Sequence, residues 1–140
     1  MTNQKLNLVK QAETILNSCK FCSVSSIDEN GYPRICILGL IKNEGIKSFY
    51  FSTGTSSRKT KNYIKNPKAG VTFYKDGDSI TLTGIMKIIK DKKIKNELWQ
   101  DWFIEHFPNG GKDDPEYAII KFESNKGTFW INNIFETFDL

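Results

Sequence analysis

The sequence predicts a mainly β fold: an antiparallel barrel with helices set between its strands. Three observations carry this. Six or seven short runs rich in β-branched and aromatic residues are separated by Gly, Asn and Asp turn signals. Three other stretches have apolar residues at helical spacing. No internal repeat, low-complexity segment or linker divides the 140 residues, so one domain over residues 1–140 is expected.

The elements follow in order. From about Lys5 to Cys19, Leu6, Val9, Ala12, Leu16 and Cys19 recur near the helical period, with polar residues between them. Phe21–Ile27 reads as a strand. Asp28-Glu29-Asn30-Gly31 turns it into a longer one, Tyr32–Ile41, whose Pro33 sits near the start, where a missing donor is tolerated. Asn43-Glu44-Gly45 is the next turn and Ile46–Phe51 the third strand. A hydroxyl-rich loop, Ser52-Thr53-Gly54-Thr55-Ser56, leads into a short helix that opens at Ser57-Arg58-Lys59 and stops at Asn66-Pro67. Ala69–Tyr74 and Ser79–Ile89 form a hairpin about Lys75-Asp76-Gly77-Asp78; Gly84, inside the second of these, predicts a bulge or a close backbone approach. Asp91 is placed to cap a helix running to about Phe107. After the loop Pro108–Pro115 come the strands Tyr117–Glu123 and Thr128–Ile131, joined by a turn at Asn125-Lys126-Gly127. The tail Asn132–Leu140 keeps Ile134, Phe135 and Phe138, which predicts that it docks on a surface, such as that of a second subunit.

Composition narrows the function. Hydrophobic residues make up 39% and charged residues 26%, a globular balance. No apolar run approaches the roughly 20 residues of a membrane span, and the N-terminus has no signal-peptide core, so a cytoplasmic location without membrane contact is expected. A net charge of +4 gives a mild preference for anionic partners, too small to mark nucleic acid. Cys19, Cys22 and Cys36 leave an odd thiol and no disulfide framework. Cys19-Lys20-Phe21-Cys22 with Cys36 and His106 would be a minimal zinc set, but no second spaced pair exists, and no metal is expected. The CxxC ends a helix and enters a strand, the reverse of a redox motif; core filling is the simpler role.

Catalytic hardware is sparse. His106 has no evident Ser or Asp partner, and Asp113-Asp114 precedes Pro115 as a turn would. Lys59-Thr60 has the final pair of a P-loop, but Arg58 stands where glycine is needed and Gly54 is one position too close. A chain without its own acid, base or metal can act through a cofactor. The stretch from Ser48 to Tyr74 is the place for one: Ser57, Arg58 and Lys59 at a helix start are suited to a phosphate dianion. The same residues also fit a solvated lysine face with Ser56 or Ser57 as a simple N-cap.

The segment FSTGTSSRKTKNYIKNPKAGVTFY resembles the flavin-phosphate segment of the pyridoxamine 5′-phosphate oxidase-like family. The similarity continues through Tyr32-Pro33-Arg34-Ile35-Cys36-Ile37 and Ile80-Thr81-Leu82-Thr83-Gly84. Leu98-Trp99, Phe107–Gly111, Asp113–Tyr117 and Thr128-Phe129-Trp130 resemble the general stress protein branch. The resemblance covers about residues 5–131 and implies a Greek-key split β-barrel that dimerises with two FMN molecules in the subunit interface. It implies that Arg58 and Lys59 pair with the FMN phosphate, that Ser57 hydrogen-bonds it and that Arg34 meets its phosphate side. Ile35, Cys36 and Ile37 would run along the ribityl chain and ring, Ser52 and Thr53 would lie beside the isoalloxazine, and Trp130 would reach the flavin of the partner subunit.

Departures from the family pattern bear on activity. The oxidase's C-terminal Arg-x-His has no counterpart in Asn132–Leu140, its lysine after the Arg34 strand is Gly39, and a glutamine it uses on FMN falls at Ser79. The expectation is an FMN-dependent oxidoreductase of unknown small substrate, without efficient pyridoxamine phosphate oxidation. Two alternatives stand beside it. One is a related barrel that uses another phosphorylated cofactor, such as a deazaflavin or haem, or that binds flavin as a sensor or carrier without turnover. The other is a basic barrel that binds single-stranded nucleic acid through the lysine-rich helix and Phe49, Tyr50 and Phe51.

Overall fold

The computed structural model describes residues 2–140. Helix α1 (Asn3–Asn17) starts where the Thr2 hydroxyl accepts the Lys5 N–H and buries Leu8, Ala12 and Leu16 on one face. Strands β1 (Phe21–Ile27) and β2 (Pro33–Gly39) form the first hairpin. Its turn is held by the Asp28 carboxylate, which accepts the Asn30 and Tyr32 N–H groups at 2.9 Å. Then come β3 (Lys42–Glu44), β4 (Ser48–Gly54), α2 (Arg58–Lys65), β5 (Lys68–Lys75) and β6 (Asp78–Ile89). Helix α3 (Lys92–Leu98) and two 3₁₀ turns, Asp101–Glu105 and Gly111–Asp113, lead to β7 (Tyr117–Ile131) and β8 (Ile134–Asp139).

All eight strands belong to one antiparallel sheet ordered β2-β1-β5-β6-β7-β4-β3, with β8 also on β7. The sheet curls into a split β-barrel. β7 makes this possible because it is long. One edge pairs with β6, while the other pairs with β4 over its first half and β8 over its second. The main core lies inside the curl, with Phe49, Phe73, Phe122 and Phe129 fully buried and α1 closing one side. A second aromatic cluster (Tyr50, Phe103, Phe107, Tyr117) anchors the segment after α3.

Five expectations need correction. Asn125–Gly127 is not a turn: β7 runs through it, and the extra residue is absorbed as a bulge, since Thr83 faces Lys126 while Gly84 faces Ser124. A Cβ on Gly84 would lie 2.0 Å from the Glu123 carbonyl oxygen, so the close approach read at Gly84 is also present. The real turn is Asn132-Asn133, both at positive φ (51° and 63°), which suits a tight hairpin. The tail therefore docks on its own chain as β8, with Phe138 packed 5.9 Å from Phe129. The helix after Asp91 is capped as expected, by a 3.0 Å bond to the Ile94 N–H, but it stops at Leu98. Trp99 turns extended there so that its ring can pack edge-on to Phe103 and Tyr117 at 5.5 and 5.1 Å. Finally, Ser52-Thr53-Gly54 is not loop but the end of β4, paired to Ile119, Ala118 and Tyr117, and Asn43 and Glu44 lie in the short strand β3, so that the turn read at Asn43–Gly45 begins only at Gly45.

Two uncharged rows run across the outer face of the sheet. Ile37, Ser23, Thr72, Thr81, Thr128 and Thr137 are successive cross-strand partners. So are Tyr74, Ser79, Trp130 and Phe135 in the next row. Tyr74 is 68% exposed, Trp130 45% and Phe135 61%, and Ile35 and Ile37 stand out in the same way at the β2 end.

Candidate functional site

The junction of β4, α2 and β2 is fixed by hydroxyls. Ser57 caps α2, its Oγ accepting the Thr60 N–H at 3.4 Å. The Ser57 and Thr60 hydroxyls lie 2.8 Å apart, and Thr53 Oγ1 is 3.2 and 3.0 Å from them. Thr60 donates onward to the Gly54 carbonyl at 2.7 Å. Two further bonds tie α2 down on β1: the buried Asn62 amide donates to Ser26 Oγ at 3.0 Å, and the Tyr63 hydroxyl donates to the Ser25 carbonyl at 2.9 Å. Burial pushes the Tyr63 phenol well above its ordinary range, so it stays protonated as that bond requires.

Glu116, just before β7, holds the loop from the other side. Its carboxylate accepts the Ser56 N–H at 2.6 Å, the Ser56 hydroxyl at 2.5 Å and the Thr55 hydroxyl at 3.1 Å. Those bonds, those of Ser56 above all, keep its carboxyl below the ordinary range. A Cβ on Gly54 would sit 2.7 Å from Glu116 Oε1, so the clamp needs the glycine there.

This junction opens into three adjoining clefts. The smallest, about 260 Å³, is lined by Arg34, Ile35 and Cys36 of β2 and by Ser57, Arg58 and Lys59 of α2, over Val24, Ser26, Asn62 and Tyr63. Arg34, Arg58 and Lys59 bring three cations to it, Ser57 brings a hydroxyl at its mouth and no carboxylate lines it, a charge and donor set suited to an anion such as phosphate. Arg34 Nε is 3.9 Å from Asp28 Oδ2, a loose surface pair that leaves the guanidinium available. On its outer side lies a basic cleft of about 700 Å³ lined by Arg34, Arg58, Lys61 and Lys65 with Asp28 and Glu29. On its other side lies a second cleft of about 700 Å³. Its walls include Phe21, Ile37, Leu40 and Ile41, then Ser52, Thr53 and Lys59, and then Gln100, Trp102, Phe103, His106 and Glu116.

The ten residues singled out in the sequence fall into three places. Arg34, Ile35, Cys36, Ser57, Arg58 and Lys59 meet around the small cleft. Ile37, Ser52 and Thr53 line the larger apolar one, which Lys59 shares. Trp130 lines none of these clefts and stands on the outer sheet face beside Phe135, with rings 5.6 Å apart. Thr53 is buried and spends its hydroxyl on Ser57 and Thr60, so its part is to hold the junction. Sequence reasoning missed Glu116 and the wall of Gln100, Trp102 and His106. Glu116 lies 60 residues from Ser56, and no local pattern joins them. Cys22 is buried and its thiol is pushed up to about 12, chiefly by burial, so it stays a protonated core residue.

The curled antiparallel sheet defines a split-barrel protein, with a cationic cleft adjoining an apolar one where β2, β4 and α2 meet. Residues 8–131 match the sequence model of the family described as pyridoxamine 5′-phosphate oxidase, and the chain belongs to that family. A crystal structure from Clostridium acetobutylicum, of a protein related to general stress protein 26 of Bacillus subtilis, superposes with a TM-score of 0.84. It is 30% identical over 96% of this chain and 95% of that one. General stress protein 26 of Bacillus anthracis superposes at 0.80 with 23% identity, over 96% of this chain and 99% of that one. A pyridoxamine 5′-phosphate oxidase-related, FMN-binding protein of Nostoc punctiforme shares the fold at 0.69, with 12% identity over 99% of this chain and 95% of that one. No curated protein matches the sequence. Among the described residues, no helix is long and apolar enough to cross a membrane.

Proposed function

We propose that the chain binds FMN as a homodimer and works as a flavin oxidoreductase on a small substrate. The observation that carries this is the convergence of Arg34, Ser57, Arg58 and Lys59 on one cleft of about 260 Å³ that shares Lys59 with the apolar cleft beyond it. Arg34, Arg58 and Lys59 would neutralise the phosphate and Ser57 would donate to it, with Asn62 and Tyr63 holding the helix that presents them. Ile35 to Ile37 would pass the ribityl chain toward Ser52, where the ring would lie. The flavin, when bound, supplies hydride chemistry that no acid, base or metal of this chain needs to provide. The protein's own work is then to bind, orient and exclude water.

The unpartnered sheet face supports the dimer. A second copy seated on its uncharged threonine row would cover the exposed Trp130 beside it, the residue that the family resemblance assigns to the partner's flavin. The C-terminal strand β8, Ile134–Asp139, contains neither Arg nor His with which to grip a vitamin phosphate. Efficient oxidation of pyridoxamine 5′-phosphate is therefore not expected.

The test is the visible spectrum after FMN is added and free flavin is removed by desalting, for the natural protein and for Arg58→Ala combined with Lys59→Ala. The natural protein is expected to stay yellow. The double variant, losing two charge-assisted contacts, should bind about 100-fold more weakly. Equal affinity in the two proteins would remove the site assignment, and a colourless natural protein would remove the flavin itself.

A further inference from the structure

The larger apolar cleft has a wall that the cofactor assignment leaves unused: Gln100, Trp102 and His106. Trp102 is 55% exposed, yet it is not loose. Its indole N–H donates to Gln100 Oε1 at 2.7 Å. Its ring meets Phe103 edge-on at 4.6 Å and His106 edge-on at 5.9 Å, with Phe103 itself buried. An exposed indole fixed at its edge and by its N–H is a ready platform for stacking, because little freedom remains to be lost on binding.

The polar groups around that platform are mostly donors. The Glu116 carboxylate is spent on Ser56 and Thr55, and the Gln100 oxygen on Trp102. The lining then offers the ammonium groups of Lys20 and Lys59, the Gln100 amide N–H and the His106 imidazole. A cleft of about 700 Å³ lies in the range that holds a small organic ligand.

We propose that this wall binds the substrate: a flat conjugated ring carrying hydrogen-bond-accepting oxygens, stacked on Trp102 and held by Lys20, Gln100 and His106. The redox role of that ring rests on the flavin reading above; its binding does not. Trp102 is then a specificity-determining residue.

The probe is 2-naphthoate, a flat aromatic carboxylate, titrated by calorimetry into flavin-free and FMN-treated protein. Cyclohexanecarboxylate, which keeps the carboxylate and lacks the flat ring, is the comparison. Expected are saturable 2-naphthoate binding, at least tenfold weaker cyclohexanecarboxylate binding and at least tenfold weaker 2-naphthoate binding in Trp102→Ala. Trp102→Phe should recover most of the loss, and FMN affinity should move less than twofold in either variant. Absence of 2-naphthoate binding, equal binding by Trp102→Ala, or equal binding of the two acids would overturn the proposal. A parallel fall in FMN affinity in Trp102→Ala would overturn it too, by giving the wall to the cofactor ring. If the natural protein takes up no FMN but binds 2-naphthoate through Trp102, the flavin reading fails alone and the aromatic site stands.

Discussion

Glu116 is a surface carboxylate that acts inward, organising the loop that presents Ser57, Arg58 and Lys59. Because its folded-state carboxyl is held down mainly by Ser56, the charged form is favoured by folding. The stability it contributes is complete above the unfolded carboxylate value of about 4.3, and it is lost as pH falls through the lower folded value. Glu116→Gln removes this dependence. The gap in melting temperature between the natural protein and Glu116→Gln should be widest near neutral pH and close as pH drops below about 4. A gap that stays constant across the acid range would mean that the clamp does not operate in solution. The variant should also weaken FMN binding by about tenfold, since the cationic pair remains but the loop carrying it is released.

Among the elements, β7 decides the shape, and the β6–β7 bulge is where its pairing is most exacting. Gly84→Ala would drive a methyl into the Glu123 carbonyl and the Phe122 ring, both belonging to the strand that every later pairing depends on. A loss of about 3 kcal/mol is expected, read as a lower urea midpoint with unchanged slope; a midpoint within error of the natural protein would contradict the packing there. Gly84 was legible in the sequence because a glycine inside a β pattern has few other uses. So were α1, the Asp28 hairpin, the Ser57 cap and the Asp91 cap, where the residues that shape an element lie within a few positions of one another. What was not legible depends on distant partners. Asn125-Lys126-Gly127 has turn chemistry, yet β6 beside it extends β7 and turns the surplus residue into a bulge. The helix after Asp91 has the right periodicity through Phe103, yet Trp99 gains more from the Tyr117 cluster than from another helical turn. The Trp102 wall follows from that break, so its relation to Ser52 and Lys59 could not be read before the fold was known.

At the scale of the whole molecule, the outer sheet face asks for a cover. Four threonines in one cross-strand row, flanked by Tyr74, Trp130 and Phe135, give a surface without a charge in its middle. The Lys126–Asp139 ion pair, 3.5 Å long, lies to one side of it. Charged residues are the usual protection of such a surface against pairing, and here they are kept off the centre. A stable interface needs roughly 800 Å² from each partner, and the six strands that these rows cross offer a contiguous surface for it. Thr81 is exposed in the central row, where its hydroxyl lies 3.2 Å from that of Thr72. Thr81→Arg would bury a charge in a dimer formed through this face while leaving the inner core untouched. Sedimentation should find the natural protein as a dimer and Thr81→Arg as a folded monomer. The monomer should retain Arg34 and Arg58 of the small cleft but bind FMN more weakly, as expected if the partner's Trp130 reaches the ring in the proposed dimer. A natural protein that sediments as a monomer would discard the shared site. A monomeric Thr81→Arg with full FMN affinity would instead keep the small cationic cleft as the binding site and show that one chain is enough to hold the cofactor.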